Sequence, residues 1–192
     1  MPEPISFDLP AGPDALRSLK AGDEVLLSGV VFTARDAAHL RLAEAVRATP
    51  GALPFDLAGQ TLFYAGPTPA APGRPAGSIG PTTASRMDAL TPVLLEAGTV
   101  AMIGKGPRSE EVRAACERFG AVYFAAVGGI AALLGTRILD ATPVAYADLG
   151  PEALVRLTLA EFPAIVAIDA HGNDLYATAA TEWAAVATGA TP

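Results

Sequence analysis

Cysteine is nearly missing from this chain: Cys116 is the only one. A disulfide framework within the chain is excluded. An iron–sulfur cluster takes about three or four thiolates, and a zinc site about three or four ligands. Cys116, His39 and His171 are the only thiol and imidazoles on offer, and they show no metal-ligand spacing. No metal site is therefore expected in this chain. Positive charge is also scarce, with 13 Lys and Arg against 20 Asp and Glu and a net charge of −7. That balance argues against a nucleic-acid partner, which calls for a basic patch. Aromatic residues make up only 6% of the chain, and the 51% apolar fraction owes much to alanine, so a core packed from small side chains is expected. No apolar run is long: the longest, residues 121–134, is interrupted by Gly128 and Gly129 and falls short of the ~20 residues that cross a bilayer. The first 13 residues carry acids and prolines instead of a basic segment and an apolar run, so no secretory signal is read. The expectation is a cytoplasmic protein with no membrane partner.

Three common motifs are missing as well. There is no G-x-S-x-G elbow for a serine nucleophile, no G-x-x-x-x-G-K-[ST] phosphate loop and no G-x-G-x-x-G dinucleotide fingerprint. At 192 residues the chain has room for one domain with a real core.

What is present is organised around residues 66–88, GPTPAAPGRPAGSIGPTTASRMD, with four glycines, five prolines, two arginines and three threonines. The prolines exclude a strand and exclude a helix before Pro81. The segment lies between an expected strand at 61–65 and an expected helix at 84–97, which Pro92 kinks or splits. A loop of this length inside a domain is either functional or disordered. Its end carries a helix-start signal, with Thr82 and Thr83 at the cap position and Arg86 and Asp88 in or near the first turn. Free amides at a helix start, joined by a guanidinium, suit a carboxylate or phosphate. The alternative is a plain cap and a surface Arg86–Asp88 pair.

A second anion-friendly corner follows the expected strand at 24–33, where Gly29 suggests a bulge or a close neighbour. Arg35 and Asp36 come next, with Asp36 as a candidate cap for a helix over 37–48. Arg35 either faces a ligand or pairs with Asp36, and His39 either faces the site or packs. A strand at 100–103 runs into Gly104-Lys105-Gly106. Lys105, between two residues without side chains, is either a ligand-contacting cation or an exposed turn lysine. Arg74 in the loop reads as solvent-facing, and Ser78 and Gly80 as able to present a hydroxyl and an amide to a ligand. Ser109 caps a helix through Phe119, and Cys116 on that helix reads as a small buried hydrophobe. Strands are expected at 121–126, around Pro143 and at 165–169, with a helical or turn segment over 148–159. Residues 171–174 read as a hairpin turn with 175–176 returning, so His171 is a turn residue. Residues 1–23 read as an extended arm with a short helical turn, and a weak helix around Trp183 and Val186 closes the chain. Alternating strands and helices make the class α/β.

The block YAGPTPAAPGRPAGSIGPTTASRMD followed by MIGKG resembles the beta subunit, or C-terminal domain, of the class I iron–sulfur hydro-lyases, the class I fumarate hydratases and L(+)-tartrate dehydratases. Residues 33–39 (TARDAAH), 123–134 (YFAAVGGIAALL), 144–149 (VAYADL) and 162–176 (FPAIVAIDAHGNDLY) resemble further blocks of the family in the same order. One departure is EALVR at 152–156, where family beta chains often carry a tryptophan. The resemblance covers roughly residues 10–178. It implies a swivelling β/β/α domain, a mixed sheet with flanking helices, over residues 24–178, preceded by the arm and followed by a tail over 179–192. It implies reversible hydration and dehydration of a C4 dicarboxylate, fumarate to malate first and tartrate dehydration next. Mesaconate is not told apart from these. It implies that Arg35, Arg86 and Lys105 clamp the substrate, that Thr82 and Thr83 contact it, and that Thr82, Arg86 and Lys105 act in catalysis. It also implies a [4Fe-4S] cluster ligated by a separate cysteine-bearing alpha subunit, in a heterotetramer or larger heteromer. A non-catalytic carboxylate- or phosphate-binding module is the alternative.

Overall fold

The long strand β2 (Glu24–Thr33) organises the architecture. Its sequence, EVLLSGVVFT, is rich in β-branched and aliphatic residues, which fit a pleated buried surface. The computed structural model describes residues 3–48 and 53–187. Along one edge of β2 runs β1 (Ile5–Leu9), parallel to it, and farther along the same strand β3 (Thr61–Phe63), also parallel. The parallel series continues through β4 (Ala101–Gly104) and β5 (Val122–Ala125). The other edge of β2 takes β7 (Leu154–Ile168), antiparallel, and β7 also pairs with β5. Strands β2, β3, β4, β5 and β7 therefore close a five-membered ring, with β1 and β6 (Ile138–Ala145) outside it. Strand β7 pairs with β6 over its first half and with β5 over its second. The change falls around Glu161, which has a left-handed φ of 49°.

Gly29 meets the expectation of a bulge and a close neighbour. The pairing of β2 with β7 shifts between Leu27 and Gly29, and a Cβ at Gly29 would lie 1.9 Å from the Leu9 carbonyl oxygen. Only a residue without a side chain lets β1 lie this close.

Strand alternation sends side chains to two cores. Phe63, Ile103, Phe124, Val31 and Phe162 belong to one, which also receives Leu16 and Leu19 from around helix α1 (Pro13–Ser18). Leu62, Tyr64, Met102 and Tyr123 face the other, against α2 (Asp36–Ala48), α3 (Thr91–Glu96) and α4 (Glu110–Phe119). The expected cap of α4 is present, with Ser109 Oγ accepting the Val112 amide at 3.4 Å. Cys116 is fully buried, as read.

The loop over 66–81 is ordered without being helix or strand. Thr68 donates its amide to Ser78, and Gly77 donates back to Thr68. Ile79 is fully buried and donates to Ala131, at the start of α5 (Ala131–Gly135). The helix over 84–97 is split, as its Pro92 led us to expect: a single 3-10 turn at Ala84–Met87 and then α3, with Pro92 in the first turn of α3 where its missing N–H costs nothing. Two expectations are corrected. The segment 148–159 is a 3-10 turn only through Glu152 (Ala147–Glu152), and from Leu154 onward it is β7. The turn at 171–174 does not lead to a returning strand; it opens α6 (Leu175–Ala187). Asp169 explains that turn: its carboxylate accepts the amides of Ala21, His171 and Asn173. Residues 1–2 of the expected arm and 188–192 of the expected tail lie outside the described residues, as do residues 49–52 and the side chain of Val186.

Candidate functional site

The carboxyl ends of β2, β3 and β4 lie side by side because the three strands are parallel and consecutive. In sheets of this kind ligands bind beyond these ends. Arg35 follows β2, Lys105 follows β4, and residues 82–86 lie in the connection from β3 to α3.

The main chain fixes how these limbs meet. Thr82 donates its amide to the Tyr64 carbonyl at 2.6 Å and accepts the Lys105 amide at 3.1 Å. Ala84 donates to the Lys105 carbonyl at 2.9 Å, so Thr83 and Lys105 pair like neighbouring parallel strand residues. Gly104 makes this approach possible. A Cβ there would lie 2.9 Å from Tyr64 Cδ2 and 3.0 Å from Ala84 Cβ, closer than packed carbons lie.

The arginines converge on one atom. Asp36 Oδ2 accepts Arg35 Nε at 3.2 Å and Arg86 Nη2 at 2.8 Å. Arg86 Nη2 also reaches Thr82 Oγ1 at 3.3 Å, and Arg35 Nη2 lies 3.3 Å from Glu152 Oε1. Burial pushes the Asp36 carboxyl up, but hydrogen bonds from its own amide, Arg35 and Arg86 outweigh it and hold it below the ordinary carboxylate range. Among the described residues, Arg35 Nη1 and Arg86 Nε and Nη1 make no hydrogen bond or ion pair. Both side chains are partly exposed, at 30% and 46%. Lys105 is half-buried and lies against Gly128, its Cδ 3.3 Å from where a Cβ at 128 would sit. Among the described residues it forms no ion pair.

Several expectations change here. The turn after Thr83 is a single 3-10 turn in which the threonine side chain makes no capping hydrogen bond, so no helix start stands behind Arg86 and the threonine hydroxyls. Arg86 pairs with Asp36 and not with Asp88. Asp36 does not cap α2 at Ala37; that amide donates to Glu152 Oε2 at 2.8 Å. His39 packs: it is fully buried, edge-on to Tyr64 at 4.9 Å, with both ring nitrogens unpartnered. Arg74 and Ser78 line a cleft of about 390 Å³ with Thr68 and Thr136. A cleft of about 380 Å³ shares Thr68, Pro69 and Ala76 with it. Neither has Arg35, Arg86 or Lys105 in its wall. Sequence reasoning missed Asp36 as the shared counter-ion, and it missed Glu152 and Arg108. Only the family-like EALVR block drew attention to 152. Among the described residues no group of three or more His, Cys, Asp or Glu side chains is placed to hold a metal ion, and no helix is long and apolar enough to cross a membrane.

Two arginines, a lysine and a hydroxyl at the ends of parallel strands define an α/β domain whose exposed edge suits a small anion. The chain belongs to the Fumarase C-terminus family, whose model matches residues 3–179. It is 39% identical over 152 residues to the anaerobic class I fumarate hydratase of Escherichia coli strain K12, covering 78% of this chain and 28% of that enzyme. It is 40% identical over 167 residues to a putative L(+)-tartrate dehydratase subunit beta of Methanocaldococcus jannaschii, covering 84% of this chain and 85% of that one. With the L(+)-tartrate dehydratase subunit beta of E. coli K12 it shares 35% identity over 173 residues, 88% of this chain and 84% of that one. The chain therefore spans little more than a quarter of the fumarate hydratase it matches.

Proposed function

We propose that this chain is the beta subunit of a two-subunit iron–sulfur hydro-lyase that adds water to, or removes it from, a C4 dicarboxylate. Fumarate and malate come first as substrates, tartrate next. The observation that carries the proposal is the meeting of Arg35 and Arg86 on Asp36 Oδ2, with Lys105 on the adjoining limb, in a member of this family. The closed sheet with flanking helices supports the swivelling β/β/α assignment, with residues 24–178 as the functional domain. Among the described residues the single buried Cys116 cannot hold an iron–sulfur cluster, and the [4Fe-4S] cluster belongs to the cysteine-bearing alpha chain. The lone buried thiol suits a cytoplasmic setting.

The role of this chain is electrostatic. Dehydration removes a proton from the carbon next to one carboxylate. The electron pair moves into that carboxylate, which gains a second negative charge, and hydroxide leaves from the neighbouring carbon as the double bond forms. Guanidinium donors aimed at the carboxylate stabilise that charge as it develops. Arg35 and Arg86 fit this task through their free nitrogens, with Lys105 as a further cation. Thr82, which accepts a hydrogen bond from Arg86, contacts the substrate with Thr83, and one of the two hydroxyls joins the proton relay.

Anaerobic reconstitution with the alpha-type chain, assayed against fumarate, both tartrate enantiomers and mesaconate, tests the proposal. The chain alone is expected to be inactive and the heteromer active. Arg86→Ala is expected to abolish turnover and leave the heteromer intact; wild-type rates in that variant would remove Arg86 from the clamp. Saturable dicarboxylate binding with no turnover in the heteromer would make the chain a binding module instead.

A further inference from the structure

Arg108 is a charged side chain with no exposure at all. Each of its three guanidinium nitrogens has a partner. Nε donates to Asp88 Oδ1 at 2.6 Å, Nη2 to Thr91 Oγ1 at 2.7 Å, and Nη1 to Tyr64 Oη at 3.3 Å. The group is also packed against the rings of Tyr64 and Tyr123, 5.2 and 5.0 Å from their centroids. Asp88 spends its second oxygen on the Ser109 amide at 2.7 Å.

Each partner stands next to a residue of the proposed clamp. Asp88 is two residues beyond Arg86. Thr91 donates its hydroxyl to the Met87 carbonyl at 2.9 Å. Tyr64 accepts the Thr82 amide. Tyr123 donates its hydroxyl to the Gly106 carbonyl at 2.9 Å, one residue past Lys105. A buried ion pair is a poor source of stability, because well-packed apolar residues of similar volume often serve as well or better. It does impose one geometry, since a planar fork held at each of its three nitrogens has little room to slide.

We infer that Arg108 is a positioning residue: its tie to Asp88 locks the limb carrying Thr82 and Arg86 against the limb carrying Lys105, and so sets the spacing of the clamp. The inference rests on the proposed hydro-lyase reading for its consequence in catalysis, but the tie itself can be read without turnover.

The test uses the full chain with two replacements, Arg108→Lys and the apolar double variant Arg108→Met with Asp88→Leu. The double variant removes both charges, so it retains the fold where a single truncation leaves a charge buried alone. Amide hydrogen exchange is measured at Lys105 and Ala84, the two amides that bridge the limbs, and compared with Val31 in β2. Exchange at both is expected to rise at least tenfold in each variant with Val31 unchanged. Unfolding of the double variant is expected at or above the wild-type midpoint. In the heteromer, kcat/KM for the dicarboxylate is expected to fall at least tenfold in both variants. A merely structural role predicts that the double variant, stable again, recovers wild-type turnover. Wild-type exchange at Lys105 and Ala84 in a folded variant, or recovered turnover in the double variant, overturns the inference. If the wild-type heteromer turns over no dicarboxylate while exchange rises as expected, the hydro-lyase reading fails and the tie stands.

Discussion

Replacing His39 with Leu gives the most quantitative check on the structure. Burial, reinforced by the positive charge of Arg108, pushes the imidazole pKa down from 6.5 to about 3. The Ala34 carbonyl and the Asp36 carboxylate pull the other way, but neither is in hydrogen-bonding geometry with the ring, so burial wins. The sign follows from proton counting. Between pH 6.5 and about 3 the unfolded chain binds a proton at this site and the folded chain does not, so stability falls as pH drops through that window. From pH 8 to pH 5 the wild-type loss from this one group is about 2 kcal/mol, with a slope near 1.4 kcal/mol per pH unit below 6.5. For a chain of this size that is roughly 4–8 °C in Tm. His39→Leu removes the titration. It also removes two unpartnered ring nitrogens, whose burial costs about 1–3 kcal/mol, offset in part by lost shape fit against Tyr64. The assay is urea unfolding of both proteins at pH 5, 6, 7 and 8. Carboxylates with lowered pKa, among them Asp36 and Asp169, affect both proteins alike and cancel in the difference. The wild-type deficit relative to the variant is expected to grow by about 2 kcal/mol between pH 8 and pH 5. A difference that stays flat across this range would refute the buried, unpartnered placement of His39.

Two further outcomes are expected. Burial pushes the Cys116 thiol up to about 12, so iodoacetamide at pH 8 is expected to leave it unmodified in the folded chain and to label it fully in urea, read by intact mass. Gly104→Ala places a methyl against Tyr64 and Ala84, at 2.9 and 3.0 Å; it is expected to cost about 1–3 kcal/mol in urea unfolding and to speed hydrogen exchange at Ala84.

The parts of this fold legible in the sequence are those that local chemistry decides. Strand β2 announces itself through its β-branched run, and α4 through the Ser109 cap and its two glutamates. Lys105 between two glycines identified the end of β4 for the same reason. What failed was decided by distant partners. The first part of β7 read as a helical or turn segment over 148–159, because its strand form depends on β2 on one side and on β6 and then β5 on the other. The turn at 171–174 looked like a hairpin because its own residues favour one. Asp169 closes it by collecting amides from both sides, including Ala21 from far away in the chain. The candidate site divides in the same way. Arg35, Arg86 and Lys105 were visible from their positions at strand ends and from the family-like blocks. The Arg35–Asp36 pair was one of two readings of that corner, but the sharing of Asp36 with Arg86 and the Glu152 contact were not legible, nor was the burial of Arg108. Nothing local distinguishes a buried guanidinium from an exposed one before Tyr64, Thr91 and Tyr123 are brought around it.

The charge balance at the strand ends gives a physical reason for a second chain. Three cations, Arg35, Arg86 and Lys105, stand against two carboxylates, Asp36 and Glu152, which leaves a single net positive charge. A C4 dicarboxylate brings two negative charges, and proton removal from the carbon beside a carboxylate concentrates more on one end. Opposite charge near a carboxylate favours its charged form, and that help is strongest where water is excluded. Arg35 and Arg86 are partly exposed, at 30% and 46%, so water weakens what they supply in this chain alone. Asp36 holds both guanidiniums in place through one shared oxygen while three of their nitrogens stay available. The arrangement is aimed but underfilled. On the proposed reading, a partner surface carrying positive charge must close over it before the clamp gains its strength, so binding of a dicarboxylate to the chain alone should be weak and sharply reduced by salt.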